Sequence, residues 1–561
     1  MAVKIDFPRM TALALLCCGL GSVLAAGPAE TGGAARRPNI LLILADDLGY
    51  SDIRPYGGEI DTPNLDELAR DGVRLTNFHV APTCSPTRAA LLSGTDHHLA
   101  GLGTMAELIQ PNQKGQPGYE GYLNDDALSF PALLRDAGYH TYLAGKWHLG
   151  LDGKHRPQAR GFEESFALLQ GGGNHFPTPA GWNAGTYVEQ DREVKLPADY
   201  FSSNTFTDKL IAFIDKHRAD GQPFFAYAAY TAPHWPLQAP PEAIAKYKGR
   251  YDGGYAAIRA ERLERQRRLG LVEAGKSVHQ PLPATATLPD WSSLNPEQRA
   301  LEARRMETYA ALVDNLDANI GRLIQYLKDT GQYENTAVFF LSDNGAEGHV
   351  VPEFTPSGAN NRLDNIGKAD SYVYYGARWA EVGATPFRYS KGFTTEGGVI
   401  SPAIARLPGV SAAEGGNRKA LATVRDLAPT FLQLAGVADP GSRYKGRSVH
   451  PITGRSLLPY LQGQVASPHP QDYVLGEELF GNRSIRQGDW KIVWSEKPVG
   501  SGKWELFDLA ADPGETTDLA ASQPARLAEL VALWDGYVKD NRLVLPEGRN
   551  IYLQRPFSIG N

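Results

Sequence analysis

Cys84 stands in the run Cys84-Ser85-Pro86-Thr87-Arg88; the other two cysteines, Cys17 and Cys18, lie near the N-terminus in a stretch with the make-up of a leader. A lone cysteine in an exported chain has no internal disulfide partner, so it is a small buried hydrophobe or a reactive group. Pro-x-Arg after a cysteine has no general structural purpose, which favours the reactive reading. The next residues, Ala89 to Gly94, have helical character. Cys84 is therefore expected at a helix N-terminus, where free N–H groups and the dipole favour an anion. A second constellation is the pair of acidic doublets Asp46-Asp47 and Asp343-Asn344. All four residues offer oxygen ligands, a set suited to a hard cation such as calcium or magnesium rather than zinc. Either doublet alone would pass for a polar turn; two of them, each after an apolar run, favour a metal. Lys146 and His148, then His234, then Lys391 in Tyr389-Ser390-Lys391-Gly392 are unremarkable singly. Their company suggests a place to hold and work on an anion. Asp96-His97-His98 also has metal-like spacing, but beside the oxygen set a structural, supporting role is preferred.

These residues need a scaffold that brings them together. Four apolar runs read as strands: Ile40 to Ala45, Tyr139 to Ala144, Phe224 to Tyr230 and Ala337 to Leu341. The first is continuously apolar, as expected for a strand covered on both faces. Each is followed within a few residues by one of the polar groups above. In open α/β sheets ligands bind at the carboxyl ends of the strands, so the four ends point to one shared site. Helical patterns fill the gaps: Asn64 to Asp71, Phe130 to Ala137, and a long one over Pro296 to Thr330 with Met306, Tyr309, Leu312, Val313, Leu316 and Ile320 on one face. Tyr255 to Lys276, rich in Arg and Glu, reads as a solvated helical insertion without a function. The fold class is α/β, a large mostly parallel mixed sheet flanked by helices over residues 37–440. Residues 441–561 read as a smaller α+β domain on an antiparallel sheet, with strands around Ser484 to Lys491 and Trp504 to Asp508 and a helix from Pro524 to Lys539.

The composition is that of a globular protein: 561 residues, 42% hydrophobic, 21% charged, net charge -7. That charge argues against nucleic acid as the main partner. Lys4 and Arg9, the apolar stretch Thr11 to Leu24, and small residues at Ala25, Ala26 and Gly27 mark residues 1–26 as a signal peptide. The apolar stretch is short for a span, Cys17 and Cys18 fit a lipoprotein anchor poorly, and no stable membrane association is expected. The location implied is periplasmic or secreted.

Cys84-Ser85-Pro86-Thr87-Arg88, with Asp46-Asp47 upstream and Asp343-Asn344 downstream, resembles the type I formylglycine-dependent sulfatases of the alkaline phosphatase superfamily. Leu92 to Gly101 and Thr385 to Gly392 are similar to bacterial arylsulfatases. The resemblance implies hydrolysis of sulfate monoesters, aryl sulfate to phenol and sulfate. It implies that Cys84 is oxidised to Cα-formylglycine by a maturation enzyme, with the hydrated gem-diol as nucleophile. It also implies one calcium ion held by Asp46, Asp47, Asp343, Asn344 and residue 84. Arg88 would steady the modified side chain, Lys146 and Lys391 would bind sulfate oxygens, His148 would act as base, and His234 would serve the leaving oxygen.

Two rivals stay open from the sequence. A phosphonate or phosphate ester hydrolase shares such a nucleophile and metal set. A non-catalytic anion-binding homologue is set against an intact constellation. Substrate choice among aryl, alkyl and sugar sulfates rests with rim loops, for which Gly171 to Trp182 and Pro352 to Trp379 are candidates.

Overall fold

The computed structural model describes residues 1–2, 37–410, 416–554 and 557–560. The leader reading, with Cys17 and Cys18, falls outside them. Among the described residues no helix is long and apolar enough to cross a membrane.

Eleven strands make the main sheet: β1 Asn39–Ala45, β2 Val73–His79, β3 His140–Lys146, β4 Glu164–Leu168, β5 Tyr187–Glu189, β6 Arg192–Glu193, β7 Phe224–Ala229, β8 Thr336–Ser342, β9 Ile400–Arg406, β10 Gly416–Arg418 and β11 Ala422–Thr423. Their order is β10-β2-β9-β8-β1-β7-β3-β4-β5-β6, with β11 also beside β2. The centre is parallel: β1 pairs with β7 and β8, and β3 with β7 and β4. Antiparallel partners enter at β9 and β5. The sheet is thus large, mixed and mostly parallel, as the alternating sequence pattern implies. All four expected strands form. The second is displaced: it ends on Lys146 rather than Ala144, because pairing with β4 continues to Lys146 opposite Leu168.

Side chains alternate between two cores. Leu41 and Ile43 of β1 pack with Met306, Tyr309 and Leu312; Ile40, Leu42 and Leu44 pack with Leu91, Leu92 and Phe431. A strand buried on both faces has no polar side, which is why β1 reads as an unbroken apolar run. The helices that cover the sheet include α1 Pro63–Asp71, α2 Cys84–Ser93, α3 Phe130–Asp136, α4 Ser202–His217, α5 Pro241–Lys246, α6 Gly254–Arg268 and α7 Pro296–Asp329. Helix α7 opens on a reciprocal cap: the Asn295 side chain accepts from Gln298 N–H and the Gln298 side chain accepts from Asn295 N–H.

Helix α6 corrects the reading of Tyr255 to Lys276 as a solvated insertion. Arg262 is fully buried and its guanidinium ion-pairs with Asp52 and Glu59. Burial of a planar, always-charged fork needs two carboxylates to satisfy it, and sequence spacing does not show a pairing across some 200 residues of chain (|i−j| 210 and 203).

A second sheet follows, antiparallel in the order β14 Val474–Leu479, β15 Asn482–Gln487, β16 Trp490–Trp494 and β17 Trp504–Asp508, after a short hairpin of β12 Arg443–Tyr444 and β13 Arg447–Ser448. Ile485, Ile492 and Leu506 close a core with Leu530, Trp534 and Tyr537 of the helix Pro524–Asp540. Residues Arg37–Asn561 form one compact unit. Polar contacts tie the small sheet and its helix to the segment that follows α2. Asp96 accepts from His98 Nδ1 at 2.9 Å, from Tyr537 at 2.9 Å and from Arg425 at 3.3 Å, while His98 Nε2 meets Glu478 at 3.2 Å. Asp96-His97-His98 thus ties the segment after α2 to the C-terminal sheet and its helix, matching the structural role preferred for it.

Both ring nitrogens of His98 face carboxylates, so the folded protein favours imidazolium. Burial opposes the charge, but Asp96 and Glu478 raise His98 from 6.5 to about 9. A folded value above the unfolded one gives stability that is complete below 6.5 and is lost as pH climbs through about 9. The thermal midpoint is expected to decline across that window, and His98→Gln is expected to remove this component of the decline. Equal declines in the two proteins would refute the assignment.

Candidate active site

The carboxyl ends of β1, β3, β7 and β8 lie side by side and carry the polar groups into one cleft. Asp46 and Asp47 leave β1; Asp343 and Asn344 leave β8; Lys146 ends β3, with His148 two residues on; His234 lies beyond β7. Backbone bonds lock these ends together: Asp46 N–H donates to Ala232 O, and Asp343 N–H to Ala45 O, each at 3.1 Å. Gly145 (φ 128°) precedes Lys146, and a Cβ there would sit 1.7 Å from Ala229 O. Only glycine lets β3 close on β7 at this point. Cys84 begins α2, as the sequence suggests, and is the one free cysteine among the described residues.

Cys84 Sγ lies 3.4 Å from Asp46 Oδ1 and 3.7 Å from Asp47 Oδ1. Lys146 Nζ donates to both oxygens of Asp46 at 2.9 and 2.8 Å, and Lys391 Nζ to both of Asp47 at 2.8 and 3.0 Å. Arg88 grips Asp343 Oδ2 through Nε at 3.0 Å and Nη2 at 2.7 Å, and donates from Nη1 to Lys146 O at 3.1 Å. Asn344 Nδ2 donates to Asp47 Oδ1 at 2.7 Å. His234 Nε2 is 3.5 Å from Asp47 Oδ2, while its Nδ1 bonds Trp235 O at 2.5 Å. The acidic doublets, Cys84, Arg88, Lys146, His234 and Lys391 thus meet in one place, and His148 shares the cleft lining with Cys84 and His234, every one of them buried.

Three residues escaped the sequence reading. Glu347 pairs with Lys391 at 3.1 Å and with His349 at 2.8 Å. Glu107, on the turn Ala106–Leu108, meets His148 Nε2 at 3.2 Å. Tyr552 lines the cleft from near the C-terminus. Glu347 carried a usable signal, lying three residues after Asn344 on the same loop; the other two are brought in by tertiary packing alone.

The charges fit a bound cation. Asp46, Asp47, Asp343 and Glu347 outnumber Lys146, Lys391 and Arg88 by one. Burial, then the neighbouring Asp46, pushes Asp343 up to about 6 even with Arg88 on it. Burial resists the charge on Asp47 too, yet Lys391, His234 and Lys146 hold it well below the usual carboxylate range. Among the described residues Asn344 Oδ1 is buried without a hydrogen-bond donor. An orphaned oxygen beside a surplus of carboxylate is what a hard cation would satisfy, and it would leave the site positive enough for an anion. Burial, then Asp343, pushes the Cys84 thiol well above its ordinary range, so the encoded side chain is a neutral thiol rather than a nucleophilic thiolate.

Two site residues hold left-handed backbone without being glycine, Asp47 at φ 68° and His148 at φ 56°. Such conformations persist where surrounding structure enforces them, and they gather at functional sites. The imidazoles also need bare backbone beside them. A Cβ on Gly171 would lie 2.5 Å from His148 Cε1, and one on Gly172 would lie 3.1 Å from His234 Cε1. The cleft above has a volume of about 730 Å³, with Cys84, Lys391, His148 and His234 among its lining residues. Parts of both expected rim stretches, Gly171 to Trp182 and Pro352 to Trp379, line it as well.

Comparison with known proteins agrees with this geometry. The sulfatase family profile matches residues 38–437, and the profile "N-sulphoglucosamine sulphohydrolase, C-terminal" matches residues 387–532. An uncharacterized sulfatase of Schizosaccharomyces pombe is 44% identical over 531 residues, covering 91% of this chain and 95% of that one. An arylsulfatase of Klebsiella aerogenes is 39% identical over 448 residues, covering 78% and 94%. The crystal structure of Ps i-CgsB superposes with a TM-score of 0.65 at 26% identity, covering 90% of this chain and 93% of that one. At 20% identity and a TM-score of 0.54, covering 90% and 96%, the phosphonate monoester hydrolase of Silicibacter pomeroyi shares the fold. The chain belongs to the sulfatase family, with its alkaline phosphatase-like fold, and is a sulfuric ester hydrolase.

Proposed function

We propose that this protein hydrolyses sulfate monoesters of the aryl type, with formylglycine made from Cys84 and one calcium ion held by Asp46, Asp47, Asp343, Asn344 and residue 84. The observation that carries the reading is the pairing at the cleft floor: Cys84 Sγ lies 3.4 and 3.7 Å from two aspartates that Lys146 and Lys391 also hold. A sulfate monoester is an anion that resists water, so catalysis needs a placed nucleophile, cations on the sulfuryl oxygens and a proton for the leaving group. The hydrated aldehyde supplies the nucleophilic oxygen, and calcium supplies Lewis-acid polarisation.

The chain's own residues do the rest. Lys146 and Lys391 offer N–H donors to sulfate oxygens. Arg88 fixes Asp343 and the base of α2. His234, with Nδ1 committed to Trp235 O, serves the leaving oxygen from Nε2. His148, with Nε2 held by Glu107 and Nδ1 buried without a partner among the described residues, offers Nδ1 as the base that accepts a proton later in the cycle. General acid or base help of this kind is worth about 10²–10⁴-fold.

We also propose export to the periplasm or outside the cell behind the residue 1–26 signal peptide, maturation of Cys84 before the chain folds around it, and a domain boundary near residue 440. The rival is phosphonate or phosphate ester hydrolysis, given the fold shared with the phosphonate monoester hydrolase. Paired kcat/KM values for one phenol as its sulfate and as its phosphonate monoester decide between them. The sulfate is expected to win, and a phosphonate preference would overturn the reading. Mass spectrometry of the same protein should find residue 84 short of a sulfur and two hydrogens and richer by one oxygen.

A further inference from the structure

We propose a second metal site, for zinc or a similar borderline dication, at the surface where β3 begins, with His140, His217 and Asp220 as ligands. It lies away from the catalytic cleft and does not depend on the reaction assigned there. β3 runs from His140 to Lys146, so about 20 Å of strand separates this cluster from the lysine at the cleft floor.

Three elements deliver the ligands. His140 opens β3, His217 closes α4, and Asp220 ends the short turn Arg218–Asp220 that follows. His140 N–H donates to Pro223 O at 3.0 Å, which pins the start of the strand to the segment just after Asp220. The two imidazole rings lie with centroids 4.4 Å apart. One ligand atom from each of His140, His217 and Asp220 lies within 4.8 Å of the others. Tetrahedral zinc with bonds of about 2.1 Å spaces its ligand atoms about 3.4 Å apart, so small side-chain rotations close the set. The three side chains are 13%, 27% and 38% exposed, so an ion can reach them from solvent.

The neighbours orient these groups as a metal needs. His140 Nδ1 lies 2.9 Å from Glu163 Oε2, and its Nε2 lies 2.7 Å from Asp220 Oδ2. A ring that donates from Nδ1 to Glu163 turns a lone pair on Nε2 towards a carboxylate oxygen, and a cation has to stand between them. Asp220 is fixed for the role, since its Oδ1 accepts from Gln222 N–H at 2.9 Å. His217 Nε2 faces Glu164 Oε1 at 3.4 Å, which braces the second ring from outside. A proton on His140 would satisfy Asp220, but it would set an imidazolium against another imidazole. A dication suits the charges better. Glu163, Glu164 and Asp220 are opposed by Lys216 on Glu164, which leaves two negative charges to be met, while Arg218 and Asp215 pair with each other. Two ring nitrogens with one carboxylate favour zinc over calcium or magnesium. Such an ion would staple the end of α4 to the start of β3.

The test is calorimetric titration of Zn²⁺ into matured full-length protein in excess calcium, with thermal midpoints read in parallel. Wild type is expected to take up one zinc ion here and to melt at a higher temperature with it. His140→Gln, His217→Gln and Asp220→Asn are each expected to weaken that binding by about tenfold or more and to lose the rise in midpoint. Magnesium at the same concentration should not reproduce the rise. Asp220→Asn keeps the shape of a partly exposed side chain and decides the matter should a histidine variant fail to fold. Zinc bound equally by wild type and every folded variant would place the ion elsewhere, and no zinc uptake by wild type would leave the cluster an ion-pair network. Either result overturns the proposal.

Discussion

Cys84→Ser, produced in a host that matures the wild-type chain, is expected to fold, to bind substrate and to lose steady-state turnover by about 10⁴-fold or more. The Sγ position is fully enclosed, and the substitution keeps one hydroxyl within reach of Asp46 and Asp47. What serine lacks is the second hydroxyl of a hydrated aldehyde. A serine can take one sulfuryl group from the ester, but its release then requires water to attack sulfur, the reaction the site is built to avoid. A stoichiometric first release of phenol followed by arrest, with a sulfated peptide at residue 84, is the result that supports the proposal. Rapid multiple turnover by the serine variant would end it.

Arg88→Met should cost the most stability. Arg88 and Asp343 are both fully enclosed, joined by bonds of 3.0 and 2.7 Å to one carboxylate oxygen. Removing one member strands the other in a medium that cannot solvate it, a loss of about 3–5 kcal/mol. Asp343 is already raised by burial and by Asp46, so losing its guanidinium favours the protonated form and weakens it as a cation ligand. The expected outcome is a lower denaturation midpoint together with a lower kcat/KM. Arg88→Lys should fall between, because a lysine keeps the charge but cannot fork onto Asp343 and reach Lys146 O at once. Calcium added back should restore part of the stability of Arg88→Lys. A wild-type midpoint in Arg88→Met would contradict the argument.

The site was legible because its chemistry sits at strand ends. β1 and β8 are unbroken apolar runs, so Asp46-Asp47 and Asp343-Asn344 stand out where each run stops. Either doublet alone would pass for a polar turn, but two of them at the ends of apolar runs point to one site. Glu107 gives no such cue: it is one acid on a short turn, and only folding brings it to His148. Arg262 misled for the opposite reason. Its neighbours Arg265, Arg267 and Arg268 give α6 a solvated appearance, while its partners Asp52 and Glu59 lie 210 and 203 residues earlier in the chain. Support for the Lys391 loop was hidden in the same way, since Asn482 at the start of β15 donates to Gly392 O at 2.7 Å. Chemistry set by local sequence can be read; chemistry that depends on distant pairing cannot.

A Cβ on Gly171 would collide with the His148 ring, and one on Gly172 would press on His234, so this stretch of bare backbone is what leaves both imidazoles room at the cleft wall. That side of the cleft leaves little room for a side chain. Phe354 and Tyr372 also line the cleft but reach His234 only through Trp235, so they are positions where a side chain can be exchanged with less disturbance of the imidazoles.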